Sequence, residues 1–146
     1  MTNQTHASAV AFGENACLIT GGSGKGKSTL ALELLAFGGQ LIADDRVDLL
    51  LERDVVLLAC PPGTKGLIEA RRIGLICTTS APSTPARLWV DLDEHSSERL
   101  PQPQNRDLLG RSVPVIFGPY RPGLAAAVKL LLTGGILSDP DRSVAP

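Results

Sequence analysis

Nine consecutive residues form the pattern in this chain that most directly predicts chemistry. The stretch Gly21–Thr29 reads GGSGKGKST and matches G-x-x-x-x-G-K-[ST] at every fixed position. Glycines let successive backbone N–H groups turn toward one anion, because no Cβ atom stands in the way. Lys27 can reach the outer phosphates of a nucleotide, and the Ser28 hydroxyl can bind Mg²⁺. We therefore predict a phosphate-binding loop; the alternative is a flexible glycine turn that binds nothing.

The residues on either side of this stretch fit the setting that such a loop requires. Ala16–Ile19 is an apolar run that predicts a buried strand, and Leu30–Ala36 predicts a helix. The N-terminus of that helix would add partial positive charge at the loop. The predicted nucleotide-binding residues are Gly21, Gly22, Ser23, Gly24, Lys25, Gly26, Lys27, Ser28 and Thr29.

Two adjacent aspartates follow the next apolar run. Asp44 and Asp45 come directly after Gln40–Ala43, and Asp45 lies 18 positions after Lys27 (45 − 27). We expect this strand to end next to the strand before the loop, which puts an acid beside the γ-phosphate, where it could accept a proton from an alcohol. The alternative is a solvated acidic turn, which is what two aspartates after a strand usually form.

The composition predicts one domain with an aliphatic core and argues against several classes of protein. The 146 residues suit a single domain, and 43% hydrophobic with only 3% aromatic residues predicts an aliphatic core. A net charge of −1 offers no basic surface for nucleic acid, and the longest apolar run, Val55–Cys60, is too short to cross a membrane. The three cysteines are widely spaced and the N-terminus lacks signal-peptide features. We expect a cytoplasmic protein with reduced cysteines.

The remaining patterns predict an α/β domain with a mixed sheet, because hairpins flank the strand–loop–helix unit. We expect one domain over residues 1–137 and a disordered tail over 138–146. Regular elements are expected as a hairpin over His6–Thr20, a strand at Gln40–Ala43, a hairpin over Val47–Ala59, a last strand at Val113–Phe117 and a helix at Gly123–Leu132. Weaker patterns suggest a loose start at 1–5, a strand or short helix at Leu67–Thr78, an edge strand at Arg87–Leu92 and a mobile polar segment at Glu94–Gly110.

Two runs of sequence together resemble the HPr kinase/phosphorylase family. The first comprises LITGGSGKGKS at 18–28, ALEL at 31–34 and LIADDRV at 41–47, and the second is GLIEARRIGLI at 66–76. The resemblance covers most of residues 6–125 and is to short forms that have the catalytic domain only. It implies a single P-loop-containing domain of the kind that this family shares with phosphoenolpyruvate carboxykinases.

The resemblance also implies catalytic roles for four residues of this chain. Asp45 matches the family's catalytic aspartate, which acts as a base in phosphorylation and as an acid in the reverse direction. Lys27 lies in the loop, and His6 stands where the family has an active-site histidine. Arg99 matches the catalytic arginine. Taken alone, His6 would be an ordinary strand residue.

The implied Mg²⁺-linked residues are Ser28 and Glu69, and Glu69 taken alone would be a surface charge. The chain also departs from the family at three places. Arg72 stands where glycine is favoured, and Lys25 where an apolar residue is commoner. Leu124 and Ala125 replace the arginine–asparagine pair that follows the Arg-Pro-Gly segment. This last departure predicts a bias toward the kinase direction.

The implied enzyme transfers the γ-phosphoryl group of ATP, with Mg²⁺, to a serine of the phosphocarrier protein HPr. Its reverse reaction would be phosphorolysis, in which inorganic phosphate attacks phosphoserine and pyrophosphate is formed. The family forms hexamers, so the resemblance also implies a homo-oligomer. Two alternatives stay open: a regulatory module that binds nucleotide without transferring phosphate, and a kinase of small molecules.

Overall fold

The computed structural model describes residues 2–138, which form eleven strands and two helices. In chain order these are β1 (Thr2–His6), β2 (Ser8–Phe12), β3 (Asn15–Thr20), α1 (Lys27–Ala36), β4 (Gln40–Ala43), β5 (Arg46–Glu52), β6 (Val55–Ala59), β7 (Leu67–Ala70), β8 (Gly74–Cys77), β9 (Thr84–His95), β10 (Gln104–Leu108), β11 (Arg111–Gly118) and α2 (Leu124–Leu132). The predicted α/β class with a mixed sheet is confirmed.

Strand β9 is the centre of the main sheet. The order is β1-β5-β6-β9-β3-β2-β4, and β11 also pairs with β9 and carries β10 on its other edge. Strand β9 is long enough to pair antiparallel with β6 at its start and parallel with both β3 and β11 further along. Strands β7 and β8 form a separate two-stranded hairpin.

Four strands in the part of the sheet that extends from β9 to β4 on one side and to β10 on the other run in one direction. Strands β3, β9 and β11 are parallel to one another, and β4 shares their direction because β2 is antiparallel to both β3 and β4. Their carboxyl ends therefore meet at one edge of the sheet. Ligands of open α/β sheets bind at this kind of edge.

Alternation along the strands divides the apolar residues between two faces. On β2 and β3, Val10, Cys17 and Ile19 face a cluster that includes Leu30 and Leu34 of α1 and residues of α2. Both helices therefore cover the same face. The opposite cluster contains the small residues of β2 together with residues of β5, β6, β10 and β11, among them Ala9, Ala11, Val47, Leu58 and Val113.

The hairpins, strands and C-terminal helix expected from the sequence are confirmed, with three corrections. Residues 2–6 are strand β1 rather than a loose start, and their polarity reflects an outermost strand that pairs with β5. The segment expected to be mobile contains β10. For Leu67–Thr78, where strand and short helix were both open, the structure has the two strands β7 and β8. Most of the expected tail, residues 139–146, lies outside the described residues.

The third correction is that Arg87–Leu92 is not an edge strand but part of the central β9. Its alternating polar positions suggested a solvated face. However, Asp91 is only 9% exposed, because the Arg106 guanidinium binds its carboxylate at 2.6 Å and stacks 4.8 Å from the centre of the Trp89 ring. One polar side chain therefore covers another, and the polar face of β9 is partly buried at Trp89 and Asp91, although Arg87 is exposed.

The turn between β7 and β8 explains why the family pattern favours glycine at position 72, where this chain has arginine. Arg72 has φ 67°, in the left-handed region that favours glycine. An arginine there adopts the conformation that a glycine would adopt without steric cost. The hairpin still forms, with Ala70 paired to Gly74.

Replacing Arg72 with glycine is therefore expected to stabilise the protein. The left-handed conformation costs a non-glycine residue about 1–2 kcal/mol, and the greater freedom of glycine in the unfolded chain offsets about 0.4–1 kcal/mol of that gain. Urea denaturation of Arg72→Gly should show a rise of about 0.5–1 kcal/mol in the free energy of unfolding. Arg71→Gly is the matched control, since Arg71 is exposed and has no positive φ, and it should lower stability. Equal effects of the two changes would contradict this account.

Candidate active site

The glycine loop lies at the sheet edge where the four parallel strands end. Strand β3 ends at Thr20, residues 21–26 form the loop, and α1 begins at Lys27. The ends of β4 and β9 bring Asp44 and Asp93 toward the same edge, and residues 119–123 follow β11 there. The topology therefore collects most of the residues singled out from the sequence at one place.

Gly26 is a position in the loop where the backbone conformation and the neighbouring side chain both require glycine. It is the residue before α1, with φ 102°, and a Cβ atom added to it would lie 3.0 Å from the Cβ of Tyr120. Only glycine satisfies both conditions without a shift. The Tyr120 hydroxyl donates a hydrogen bond to the Glu33 carboxylate at 2.9 Å, and this bond raises the pKa of Tyr120. The segment after β11 is thereby attached to both the loop and α1.

Lys27 is nearly buried beneath the loop. Its residue is 8% exposed, and its Nζ atom donates hydrogen bonds to the carbonyl oxygens of Gly21 at 2.7 Å and Gly22 at 3.4 Å. A buried ammonium is costly unless a compensating group accompanies it. Carbonyl oxygens accept these bonds but carry no formal negative charge, whereas phosphate oxygens would also neutralise the ammonium. The loop therefore has an electrostatic reason to bind an anion.

The end of β9 holds the start of the loop. The Gly22 N–H donates to the Asp93 carboxylate at 3.0 Å, and a Cβ atom on Gly21 would lie 3.0 Å from the Leu92 Cβ. One step back, the Trp89 indole N–H donates to the Thr20 hydroxyl at 2.8 Å. These contacts fix where β3 ends and where the loop begins. Asp93 was not identified from the sequence, and only its place just after a strand could have pointed to it.

Asp44 joins the loop to the neighbouring strands. Its Oδ1 atom accepts hydrogen bonds from the Ser28 hydroxyl at 2.9 Å and from the Ser8 hydroxyl at 2.7 Å, while Oδ2 accepts a longer bond of 3.4 Å from the Glu69 backbone N–H. The sequence pattern favoured Asp45 and left Asp44 without a role. The structure instead brings Asp44 into contact with Ser28.

The donors around Ser28 fit a bound Mg²⁺ ion. Mg²⁺ commonly takes one or two protein ligands and completes its octahedron with water and phosphate oxygens. The Ser28 hydroxyl donates a hydrogen bond to Asp44, so its oxygen lone pairs can bind a cation. The Asp44 carboxylate adds negative charge beside it. Glu69 lies on the exposed face of β7. Its backbone N–H, and not its carboxylate, contacts Asp44. Within residues 2–138, no group of three His, Cys, Asp or Glu side chains is gathered in a way that could hold a metal ion.

His6 and Asp45 form a second, more exposed pair. The His6 Nε2 atom lies 3.4 Å from the Asp45 Oδ1 atom, and the side chains are 54% and 70% exposed. Asp45 has φ 71°, so the chain turns sharply after Asp44 and the two carboxylates contact different residues. Of the two acids, the family resemblance assigns the catalytic role to Asp45. The strand arrangement is different from the one expected, since β2 separates β4 from β3.

Arg99 lies apart from the loop contacts, in the exposed segment between β9 and β10. It lines a cavity of about 710 Å³ together with Arg121 and apolar residues of β11 and α2, including Phe117 and Leu124. Arg121 follows Tyr120, which touches Gly26. The cavity wall therefore continues into the segment packed on the loop, although no loop residue lines the cavity itself.

The cysteines and helices of the described region hold no further candidate site. Cys17 is fully buried between the strands, and burial raises the pKa of its thiol to about 12. Cys17, Cys60 and Cys77 are all free, as expected. Neither of the two helices that the structure describes is long and apolar enough to cross a membrane.

Comparison with known proteins agrees with this arrangement. The family model for the HPr Serine kinase C-terminal domain matches residues 1–128. Proteins described as HPr kinase/phosphorylase are similar: one from Clostridium botulinum (strain Eklund 17B / Type B) is 35% identical over 76% of this chain and 40% of its own length. Another from Acidovorax sp. (strain JS42) is 40% identical over 68% of this chain and 35% of its own length.

A solved structure of the Hpr(Ser) kinase/phosphatase from Coxiella burnetii matches with a TM-score of 0.77 and 28% identity. The match covers 90% of this chain and 88% of that chain. The chain spans about two fifths of the length of the curated relatives named here. The loop, the acids at the sheet edge and the match over residues 1–128 lead to one assignment: the chain belongs to the HPr Serine kinase C-terminal domain family.

Proposed function

We propose that this chain is a protein serine kinase that uses ATP and Mg²⁺ to phosphorylate the phosphocarrier protein HPr, and that it also catalyses the reverse phosphorolysis. The observation that carries the proposal is the nearly buried Lys27 ammonium, which lies in a glycine loop at the head of α1 and donates to the carbonyl oxygens of Gly21 and Gly22. Such a site favours polyphosphate. We further propose that the loop is a true P-loop and that the domain is phosphoenolpyruvate carboxykinase-like.

The loop residues bind and orient the nucleotide in this proposal. Backbone N–H groups of residues 21–29 surround the phosphates, and Lys27 neutralises charge on the outer ones. Ser28 and Asp44 hold Mg²⁺ at the head of α1, with Glu69 close by. When bound, Mg²⁺ neutralises charge that develops on the phosphate oxygens. Most of the rate enhancement then comes from positioning and electrostatics.

Asp45 carries the proton transfer, with His6 as its neighbour. In phosphorylation the Asp45 carboxylate takes the seryl proton while the seryl oxygen bonds to the γ-phosphorus and ADP leaves. In phosphorolysis an oxygen of inorganic phosphate bonds to the phosphoserine phosphorus, the seryl oxygen leaves with a proton from Asp45, and pyrophosphate forms. The high exposure of both side chains supports this role, since a protein acceptor must reach them.

Arg99 is proposed to stabilise the transferring phosphoryl group once the acceptor is bound. In the structure it shares a cavity wall with Arg121. Two guanidinium groups on one cavity fit an anionic group presented from that side.

An assay of phosphate transfer tests the proposed function directly. The chain, ATP, Mg²⁺ and HPr from the same source are combined, and the intact mass of HPr is measured. We expect a gain of one phosphoryl group, and we expect Lys27→Ala to abolish the gain or to weaken ATP binding, because the loop loses its buried cation. Lys25→Ala is the matched control: Lys25 is exposed in the same loop, so a smaller effect is expected. Unchanged ATP affinity and turnover in Lys27→Ala would refute the proposal.

The same assay separates the two alternative functions. A regulatory module would bind or consume ATP without forming a phosphoprotein. A small-molecule kinase would phosphorylate metabolites and leave HPr unmodified.

Substitutions of Asp44 and Asp45 are expected to impair different steps, nucleotide binding and proton transfer respectively. Asp45→Asn keeps the size of the side chain but cannot take the proton, so turnover in both directions should fall about 10²–10⁴-fold with ATP binding largely kept. Asp44→Asn removes charge beside Ser28 and should chiefly weaken Mg²⁺-nucleotide binding. Steady-state kinetics in both directions, with ATP titrations of each variant, distinguish the two. A larger loss of turnover in Asp44→Asn than in Asp45→Asn would overturn the assignment.

We also propose that the chain works as a homo-oligomer in the cytoplasm, hexameric as the family resemblance implies. The β7–β8 hairpin supports an interface, because Ile73 and Leu75, within the second signature run, are 80% and 69% exposed. Light scattering coupled to size exclusion should report an oligomer. Ile73→Lys should lower the mass if the hairpin contributes, and a fully active monomer of the unmodified chain would contradict the proposal.

A further inference from the structure

Ser8 is a buried hydroxyl at the point where three strands meet. It is the first residue of β2 and is completely buried. Strand β2 lies between β3 and β4, where Ser8 pairs with Ile19 of β3 and Ala9 pairs with Ala43 of β4. Ser8 therefore occupies the sheet edge directly between the strand that leads into the glycine loop and the strand that leads into Asp44.

This location gives Asp44 a distance to span. The carboxylate follows β4, while Ser28 stands on the first turn of α1, which is reached from β3. Because β2 separates those two strands, the Asp44 side chain must extend across the start of β2 to reach Ser28. Ser8 lies under that path, and its hydroxyl donates to the same Asp44 Oδ1 atom that accepts from Ser28, at 2.7 and 2.9 Å.

We propose that Ser8 is a positioning residue that holds the Asp44 carboxylate against the Ser28 hydroxyl and so sets the affinity of the site for Mg²⁺. The inference rests on the proposed function only in assigning the cation to Ser28. Two donors on one carboxylate oxygen fix its rotation, whereas the remaining contact, from the Glu69 N–H, is long. Ser8 does not contact the cation itself; it acts through Asp44. Partners of this kind typically change metal affinity by about 10- to 100-fold when they are removed.

The geometry also explains why a small hydroxyl residue suits this position. A larger side chain would fill the path of Asp44, and alanine would leave one side of a partly buried carboxylate without its donor. Asp44 is partly buried, so water replaces that donor less readily than it would at the surface.

The test measures cation binding rather than catalysis. Mn²⁺ serves as the probe and is titrated into the whole chain with a saturating non-hydrolysable ATP analogue, and free Mn²⁺ is read by electron paramagnetic resonance. We expect Ser8→Ala to weaken Mn²⁺ binding about 10-fold or more. Ser8→Cys keeps a side chain of similar size with a weaker hydrogen-bond donor. Its Mn²⁺ affinity should lie between that of the unmodified chain and that of Ser8→Ala. An affinity within twofold of the unmodified chain in Ser8→Ala would overturn the proposal.

Two controls distinguish positioning from a loss of stability. Thr84→Val removes another buried hydroxyl, one that donates to the Pro82 carbonyl away from the loop, and should leave Mn²⁺ affinity unchanged. In an Asp44→Asn background the Ser8→Ala change should have little further effect, since Ser8 acts through Asp44. An undiminished effect there would refute the mechanism. Thermal unfolding of each variant confirms that it is folded under the conditions of the titration.

The outcome is independent of the acceptor. If the unmodified chain binds Mn²⁺-nucleotide but does not phosphorylate HPr, the proposed function fails while the Ser8 prediction is still decided by the titrations. If HPr is phosphorylated and Ser8→Ala binds Mn²⁺ normally, the proposed function stands and the positioning role of Ser8 is wrong.

Discussion

The parallel pairing of β3 with β9 is the constraint on which the site depends. It puts the end of β3, where the glycine loop begins, beside Asp91 and Asp93 at the end of β9. Parallel strands require covered faces, and here α1 and α2 cover one face while the Arg106–Trp89 stack helps to cover the other. Buried contacts therefore fix the strands beneath the loop. The loop itself does not have to hold these strands together and can be exposed at the end of the sheet.

Electrostatics at this edge divide into two parts. The loop concentrates positive charge: Lys27 lies beneath it, and the head of α1 adds partial charge. Carboxylates surround the loop, with Asp93 at the Gly22 N–H and Asp44 at Ser28. Asp93 and Asp44 thus accept hydrogen bonds from the loop and from α1. In the contacts described, neither forms an ion pair with Lys27. An anion entering the loop would meet the lysine, and a cation would meet the acids.

Much of this arrangement could be predicted from the sequence, because the patterns were local. The glycine loop, helix α1 and hairpin β2–β3 follow from glycine positions and from apolar runs that adjoin one another. What could not be predicted was long-range pairing. Nothing near Asp91 indicates that Arg106 will cover it, so β9 was mistaken for an edge strand. The insertion of β2 between β3 and β4 is equally invisible in sequence, and it brings Ser8 to the Asp44 carboxylate that binds Ser28.

The separation of the two aspartates follows from β1, the segment expected to be loose. Strand β1 pairs with β5 so that His6 lies opposite Arg46, and the Ala7 N–H donates to the Asp45 carbonyl oxygen at 3.1 Å. These bonds hold Asp45 in a left-handed conformation, which aspartate tolerates better than most residues. The turn brings its carboxylate to His6, whereas the carboxylate of Asp44 accepts from Ser28. A polar edge strand with little apolar surface therefore decides which acid lies with the cation-binding hydroxyl and which lies exposed, where a protein acceptor could reach it.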